Sequence, residues 1–224
     1  MKPDSVAIIS GGMDSVTLLH YLVKAEKHYP AVLSFNYGQK HSKELIYAKN
    51  NARMLNCHVH EIIDLSLFRG LFMASALVNQ DMSIPTIEAV EGDSQPLTYV
   101  PNRNMIFLAL AAALAESLGV DDVYYGAQRH DLYGYWDTTP TFLEQLNAVF
   151  ALNRKTPIKI NAPFVNHSKA DILKIGLKLD LDYSQTWSCY EGADTACGTC
   201  PTCAERMVAF KELGISDPIR YRIQ

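Results

Sequence analysis

The sequence predicts an α/β fold: an open, parallel, twisted sheet with helices on both faces, followed by a small cysteine-rich C-terminal region. Short apolar runs alternate with helical patterns over the first 180 residues, and the first run ends at a pair of glycines. Such alternation favours parallel strands joined by right-handed crossovers. In addition, four cysteines cluster after residue 188. We therefore expect an α/β domain at 1–180 and a smaller unit at 181–224.

The first half of the chain is predicted to contain three strands and two helices in alternation. β-branched and other apolar runs indicate the strands, and apolar residues three or four positions apart indicate the helices. The strands are expected at 6–10, 31–35 and 59–63, and the helices at 16–23 and 45–55. Residues 77–100 carry two prolines and little periodicity. That composition predicts a long mobile loop or a small insertion.

The second half is predicted to add two strands and four helices. Gly119 follows a strongly apolar helical pattern and is expected to end that helix. Ser168 and Asp171 form a capping box, which predicts the start of another helix. The helices are expected at 104–118, 141–152, 168–179 and 204–213, and the strands at 123–125 and 158–162.

The composition is that of a globular protein. The 224 residues are 48% hydrophobic and 20% charged, which excludes a disordered or fibrous chain. The net charge of −4 argues against a nucleic-acid partner. The N-terminus lacks a signal-like apolar segment, and the most apolar later stretch, 105–114, is too short to cross a bilayer. We therefore expect no membrane partner and a cytoplasmic location.

The turn after the first strand has the chemistry of an anion site. Its glycines allow backbone N–H groups to approach an anion, and the following helix adds a positive N-terminus. Asp14 would repel a phosphate unless a cation lay between them, which suggests Mg²⁺. An ordinary tight turn is the simpler alternative. The turn reads Ser10-Gly11-Gly12-Met13-Asp14-Ser15.

The turn after the second strand lies at the same predicted edge of the sheet. Ligands of open parallel sheets bind at the carboxyl ends of the strands. Phe35, Tyr37 and Gln39 are therefore placed to contact an adenosine, although a plain connecting turn would have the same position.

The cysteine cluster predicts a metal site. Four thiolates with two C-x₂-C steps suit a closed, tetrahedral, structural Zn²⁺ site, with one ion per chain. An iron–sulfur cluster is the alternative, because thiolates bind both. Cys57 stands apart and is predicted to be a core thiol. The expected ligands are Cys189, Cys197, Cys200 and Cys203.

The hexapeptide at 10–15 resembles the pyrophosphate loop of the N-type ATP pyrophosphatases, the PP-loop enzymes. Together with the segments 35–39 and 100–104 and the four cysteines, it makes the chain similar to the 7-cyano-7-deazaguanine synthase family of queuosine biosynthesis. The resemblance implies that the turn and the helix after it bind ATP and Mg²⁺. The residues so implicated are Ile9, Ser10, Gly11, Gly12, Met13, Asp14, Ser15, Val16, Thr17, Leu18 and Leu19.

The resemblance also implies a reaction. Members of the family use ATP and ammonia to convert 7-carboxy-7-deazaguanine to its nitrile, through an adenylated acid and an adenylated amide. Asp14, Arg103 and Lys169 are then the expected catalytic residues, with the two cations stabilising charge at the α-phosphate. A homodimer is expected from the resemblance alone.

Two segments depart from the family pattern. Asn102 replaces a glycine, and asparagine also tolerates positive φ. In 131–140, Asp131, Tyr135 and Asp137 match the pattern and are expected to hold the deazapurine, whereas Tyr133, Trp136, Thr138 and Thr139 do not match. The changed segment leaves open an adenylating enzyme that uses another amine. The four cysteines on an ATP-binding fold leave open a tRNA-modifying PP-loop protein.

Overall fold

A computed structural model describes residues 2–93, 95–129 and 135–222. Its centre is a five-stranded sheet in the order β3-β2-β1-β4-β5, in which every neighbouring pair is parallel. The predicted parallel sheet is thus confirmed. The strands are β1 (Ser5–Ile8), β2 (Pro30–Asn36), β3 (His60–Asp64), β4 (Asp122–Tyr124) and β5 (Lys159–Asn161).

The six predicted helices are present. The first begins at Met13 rather than at residue 16, because extended backbone at Gly12 leads directly into the helix. Among the described residues, no helix is both long enough and apolar enough to cross a membrane. The helices are α1 (Met13–His20), α2 (Lys43–Met54), α3 (Arg103–Leu118), α4 (Pro140–Phe150), α5 (Lys169–Lys178) and α6 (Pro201–Glu212).

Helices cover both faces of the sheet, as predicted. Side chains alternate along a strand, so neighbouring residues of β1 enter different cores. Val6 packs in the core formed with α3 and α4. Ala7 packs in the core formed with α1, α2 and α5.

Residues 77–93 and 95–100 form turns that pack onto the domain. Leu77, Val78 and Val100 are buried in the core beside α3, and the Leu77 carbonyl accepts a hydrogen bond from Lys40 N at 2.9 Å. The segment is therefore a packed insertion. Its apolar residues are irregularly spaced, so no periodic pattern revealed that they were buried.

The C-terminal region packs tightly onto the α/β domain. The capping box is formed, with Ser168 Oγ accepting from Asp171 N and the Asp171 carboxylate accepting from Ser168 N. Met13, Leu173 and Phe210 bring α1, α5 and α6 into one core. The division at residue 180 stays a prediction.

We predict that Gly11→Ala destabilises the fold strongly. Gly11 has φ +99°, and an added Cβ would lie 1.9 Å from the Glu44 carbonyl oxygen. Backbone strain and a clash with α2 should together lower the free energy of unfolding by about 3 kcal/mol or more. Urea denaturation measures the loss.

Gly92→Ala is the matched control. Gly92 has φ +79°, but an added Cβ would meet nothing within 4 Å. It should cost only the strain, about 1–2 kcal/mol. Equal losses in the two variants would show that the close approach of Gly11 to α2 is unimportant.

Candidate active site

A cavity of about 250 Å³ opens at the carboxyl ends of β1, β2 and β4. The strand order reverses between β1 and β4, and ligands of doubly wound sheets bind at such a switch point. The cavity walls come from the turns after these three strands and from the start of α3, α5 and α6. The sheet topology therefore brings together segments that are far apart in sequence.

Two backbone N–H groups of the first turn converge on the hydroxyl of Ser15. The backbone N–H groups of Ser10 and Gly11 each donate to Ser15 Oγ at 3.2 Å, and the two serine hydroxyls lie 3.0 Å apart. Gly126, after β4, allows close approach, since a Cβ there would lie 3.3 Å from Ser15 N. These hydrogen bonds hold the turn in shape, and the N-terminus of α1 that follows it suits an anion such as phosphate.

Most of the residues predicted to bind the nucleotide lie on the cavity wall. Those lining it are Ile9, Ser10, Gly12, Met13, Asp14, Ser15, Phe35, Tyr37 and Gln39. Gly11 lies just behind, where its carbonyl accepts from Trp187 N at 3.0 Å. The remaining four are buried in the body of α1, away from the cavity: Val16, Thr17, Leu18 and Leu19. A contact between these four and a nucleotide stays a prediction.

The second turn forms an aromatic wall. The Phe35 ring stacks on Phe107, with ring centroids 3.9 Å apart. Gln39 Oε1 accepts from Tyr37 N at 2.8 Å, which holds the turn in shape. This wall offers flat apolar surface to a planar ligand.

Lys169 is the buried cation of the site. Its Nζ lies 3.2 Å from Asp14 Oδ2 and 2.8 Å from Glu205 Oε2. Burial alone would lower the pKa of Lys169, but the two carboxylates outweigh it and raise that pKa above its usual value. The ammonium therefore stays charged, beside the first turn.

Asp14 keeps one carboxylate oxygen for a ligand. Its Oδ2 pairs with Lys169, whereas its Oδ1 is buried and has no hydrogen-bond partner among the described residues. A buried polar atom is rarely left without a partner. A hard cation such as Mg²⁺ prefers such an oxygen, so the donor fits the predicted ion.

Arg103 begins α3 and lines the cavity. The residue before it, Asn102, has φ +52°, so asparagine adopts the left-handed conformation that was expected of it. Burial alone would lower the pKa of Arg103. Nearby Tyr37, Tyr190 and other groups outweigh that effect and raise the pKa above its usual value. The site thus holds two permanent cations, Arg103 and Lys169.

The segment predicted to hold the base is divided in the structure. Asp131 lies outside the described residues. Tyr135 lines the cavity, and its hydroxyl lies 2.7 Å from Thr98 Oγ1. Asp137 is buried just behind the cavity wall, where its Oδ2 accepts from Asn104 N at 3.3 Å in the first turn of α3 and its charge acts on Arg103. Base recognition by these residues stays a prediction.

The polar residues of the cavity wall that sequence reasoning missed include Glu44, Tyr125, Gln128 and Glu205. Tyr125 Oη and Gln128 Oε1 are buried without hydrogen-bond partners among the described residues, so both are available to a ligand. Their position just after the fourth predicted strand was a usable signal. Glu205 lies on α6, and nothing in the local sequence indicated that it reaches Lys169.

The four cysteines come together as predicted. All four are buried, and their sulfur atoms lie within 4.8 Å of one another. Backbone N–H groups also point at the sulfurs: Cys197 N donates to Cys189 Sγ, and Cys200 N donates to Cys197 Sγ, each at 3.3 Å. Such an arrangement stabilises thiolates and suits a bound metal ion.

The fold and the first turn define the class, that of the PP-loop nucleotide-binding enzymes with a Rossmann-like sheet. Two solved structures share the fold. U34-tRNA thiolase NcsA from Methanococcus maripaludis with its [4Fe-4S] cluster has a TM-score of 0.52 at 14% identity, over 95% of this chain and 66% of that one. NMN synthetase from Francisella tularensis has a TM-score of 0.50 at 15% identity, over 96% and 74%.

Sequence comparison identifies the family. The profile described as "Queuosine biosynthesis protein QueC" matches residues 4–214. The chain is 44% identical to 7-cyano-7-deazaguanine synthase 2 of Colwellia psychrerythraea, over 97% of this chain and 98% of that one. It is 46% identical to the 7-cyano-7-deazaguanine synthase of Caldicellulosiruptor saccharolyticus, over 98% and 96%. The chain therefore belongs to the QueC family, as the sequence motifs indicated.

Proposed function

We propose that this protein is an ATP-dependent carbon–nitrogen ligase that converts 7-carboxy-7-deazaguanine and ammonia to 7-cyano-7-deazaguanine, a step in queuosine biosynthesis. The observation that carries the proposal is the near full-length match to relatives named for this product. The cavity supports it, because it combines an anion-binding turn with two buried cations. A small-molecule acid and ammonia are the proposed partners, and a nucleic acid is not needed.

Different residues of the cavity would have different roles in adenylation. The amides of the first turn and the hydroxyls of Ser10 and Ser15 would hold the pyrophosphate of ATP. Asp14 would hold Mg²⁺ through its free oxygen, and that ion would neutralise charge on the phosphates. Lys169 and Arg103 would stabilise the negative charge that develops when the substrate oxygen attacks the α-phosphate.

The same cavity would carry out two activations in turn. The carboxylate attacks the α-phosphate and pyrophosphate leaves; ammonia then displaces AMP to give the amide. The amide oxygen is adenylated in the second round, and loss of AMP gives the nitrile. One ATP is cleaved to AMP and pyrophosphate in each round.

Substrate recognition is proposed at the wall that follows β4. Tyr135 offers a ring for stacking, and Tyr125 and Gln128 offer buried polar groups that have no hydrogen-bond partner in the described part of the chain. Asp131 and Asp137 are retained as candidates for the amine and ring N–H groups of a guanine-like base. The carboxylate of Asp137 would have to reach such a base past the start of α3, since it does not line the cavity.

We propose that the cysteine cluster holds one structural Zn²⁺. A tetrahedral ion with metal–sulfur bonds of about 2.3 Å places its sulfurs about 3.8 Å apart. The Sγ atoms of Cys197 and Cys203 are 3.8 Å apart, and all four sulfurs lie within 4.8 Å of one another. This spacing favours one ion over a multi-iron cluster, whose irons and sulfides need more room between the thiolates.

We also propose a homodimer in the cytoplasm, on the family resemblance. The 3₁₀ turn Ser66–Phe72 leaves Leu67, Phe68 and Leu71 exposed, and a second copy of the chain would cover them.

The decisive experiment is to identify the product. Purified protein given 7-carboxy-7-deazaguanine, ATP, Mg²⁺ and ammonium should form the nitrile, with two AMP per nitrile, as read by mass spectrometry and nucleotide analysis. Accumulation of the adenylate or the amide alone would contradict the proposal. That result would instead favour an enzyme that uses another amine.

A further inference from the structure

Glu44 is a cavity carboxylate that the adenylation chemistry leaves without a role. It lies in the first turn of α2 and lines the cavity together with Gln39 and Arg103. Its backbone is fixed, because the Glu44 carbonyl packs directly against Gly11 of the anion-binding turn. The Glu44 backbone therefore has a fixed place beside the anion-binding turn, and its side chain extends into the cavity wall.

The surroundings of Glu44 leave its carboxylate without a strong partner. Among the described residues it accepts one long hydrogen bond, from Gln39 Nε2 at 3.4 Å, and it forms no ion pair. This contrasts with Asp14 and Glu205, which both pair with Lys169. Burial raises the pKa of Glu44 to about 7, against the lowering effects of Arg103 and of the Gln39 hydrogen bond. A group with such a pKa can both take and release protons near neutral pH.

We propose that Glu44 is the base that removes protons from the reacting nitrogen, first from ammonium and later from the amide. The inference rests on the proposed function and deepens it. Ammonium has no lone pair, so it must lose a proton before it can attack. A partly buried carboxylate attracts the cation and then accepts that proton.

The nitrogen loses four protons on the way from ammonium to the nitrile, two in each round. Ammonium gives one proton to Glu44, and the resulting ammonia attacks the acyl carbon as AMP leaves with the bonding electrons. The new C–N group loses a second proton to become the neutral amide, after Glu44 has released the first to solvent. In the second round one N–H proton is lost when the amide oxygen is adenylated, and the other is lost when AMP leaves and the nitrile forms.

The other charged groups near Glu44 do not compete for this role. Burial raises the pKa of the Tyr37 hydroxyl to about 12, so it stays neutral. Arg103 stays charged. His41 also lines the cavity, and burial lowers its pKa, but its ring packs against Gly192, in the turn between two of the cysteines. Glu44 is the carboxylate among the described lining residues that has no cation paired with it.

The test separates adenylation from the ammonia step. Exchange of labelled pyrophosphate into ATP, with the acid and without ammonium, measures adenylation. Amide and nitrile formation at saturating ATP measures the ammonia step. In Glu44→Gln the ammonia step is expected to fall about a hundredfold at pH 7, and exchange to fall far less.

The pH profile distinguishes a base from a structural residue. The wild-type rate should fall as pH drops below about 7, as Glu44 becomes protonated, and should level off above that pH. The Glu44→Gln rate should follow free ammonia and keep rising with pH, so that the deficit shrinks in alkaline buffer. Glu44→Asp should restore the plateau at a reduced rate.

Glu205→Gln is the matched control, because it neutralises the cavity carboxylate that does pair with Lys169. It should slow exchange and the ammonia step together, with no rescue at high pH. A Glu44→Gln protein that is folded by thermal melting and keeps the wild-type pH profile would overturn the inference. If the wild type performs exchange but forms no amide, the proposed function fails and the inference fails with it.

Discussion

Lys169→Met is expected to lower the rate of acid-dependent pyrophosphate exchange by about 10²–10³-fold, the range for removal of one preorganised electrostatic contact to a transition state. Lys169 is a buried cation beside the anion-binding turn, held by Asp14 and Glu205. Methionine has a similar shape and no charge. The substitution therefore removes the positive charge that we propose acts on the α-phosphate of ATP, and it leaves most of the packing.

The same substitution leaves two carboxylates without their cation. Uncompensated buried charge is costly, so the free energy of unfolding should also fall, by up to about 3 kcal/mol. Pyrophosphate exchange is therefore measured under conditions in which each variant is fully folded. Urea denaturation of each variant shows where its unfolding transition lies. Asp14→Asn should likewise keep the fold and lose most turnover, if its free oxygen holds Mg²⁺.

Lys174→Met is the control on the same helix. Lys174 is largely exposed and lies 3.8 Å from Asp171, so its ion pair should matter little. Its exchange rate should stay within about twofold of the wild type. Near wild-type exchange in Lys169→Met, or equal losses in the two variants, would show that Lys169 is a structural residue.

The cluster of three charged residues, Asp14, Lys169 and Glu205, shows what could be predicted from the sequence and what could not. Asp14 and Lys169 each lie near the start of a helix with a local signal, a glycine turn for one and a capping box for the other. Glu205 has no such signal, because it reaches Lys169 only through the packing of α6 against α5. Local pattern thus identified two of the three groups, and tertiary packing supplied the third.

The segment proposed to hold the base shows a limit of prediction from a sequence motif. Its position after the fourth strand was correctly predicted, and Tyr135 does line the cavity. The direction of each side chain was not predictable, and Asp137 points to the start of α3 instead. Tyr125 and Gln128 lie nearer to the strand end and leave buried polar atoms for a ligand. Base recognition by either set of residues stays a prediction.

Cys200→Ser is expected to remove the metal and to lower the melting temperature by about 10 °C or more. Cys200 is the N-cap residue of α6, and its sulfur belongs to the cluster of four. A hydroxyl is a poor substitute for a thiolate, and the free energy of metal binding is also free energy of folding. A loss of about 3 kcal/mol corresponds to such a shift for a chain of this size.

Activity should fall together with the metal, because the cluster supports the cavity. Three residues that line the cavity are direct sequence neighbours of cluster cysteines: Ser188, Tyr190 and Thr202. Thr202 Oγ1 donates to Ser188 O at 2.6 Å, which ties the two sides of this wall together. Metal analysis, thermal melting and pyrophosphate exchange on one preparation measure all three effects.

Cys57→Ser distinguishes loss of the metal from loss of any thiol. Cys57 is half-buried, and burial raises the pKa of its thiol to about 11, so it is expected to be neutral and to bind no metal. This variant should keep one zinc per chain and lose about 1 kcal/mol or less. A Cys200→Ser protein that retains one zinc and a wild-type melting temperature would contradict the four-cysteine site. Several irons with inorganic sulfide in the wild type would contradict zinc, and the close spacing of the sulfurs would then have to open by several ångströms to admit the cluster.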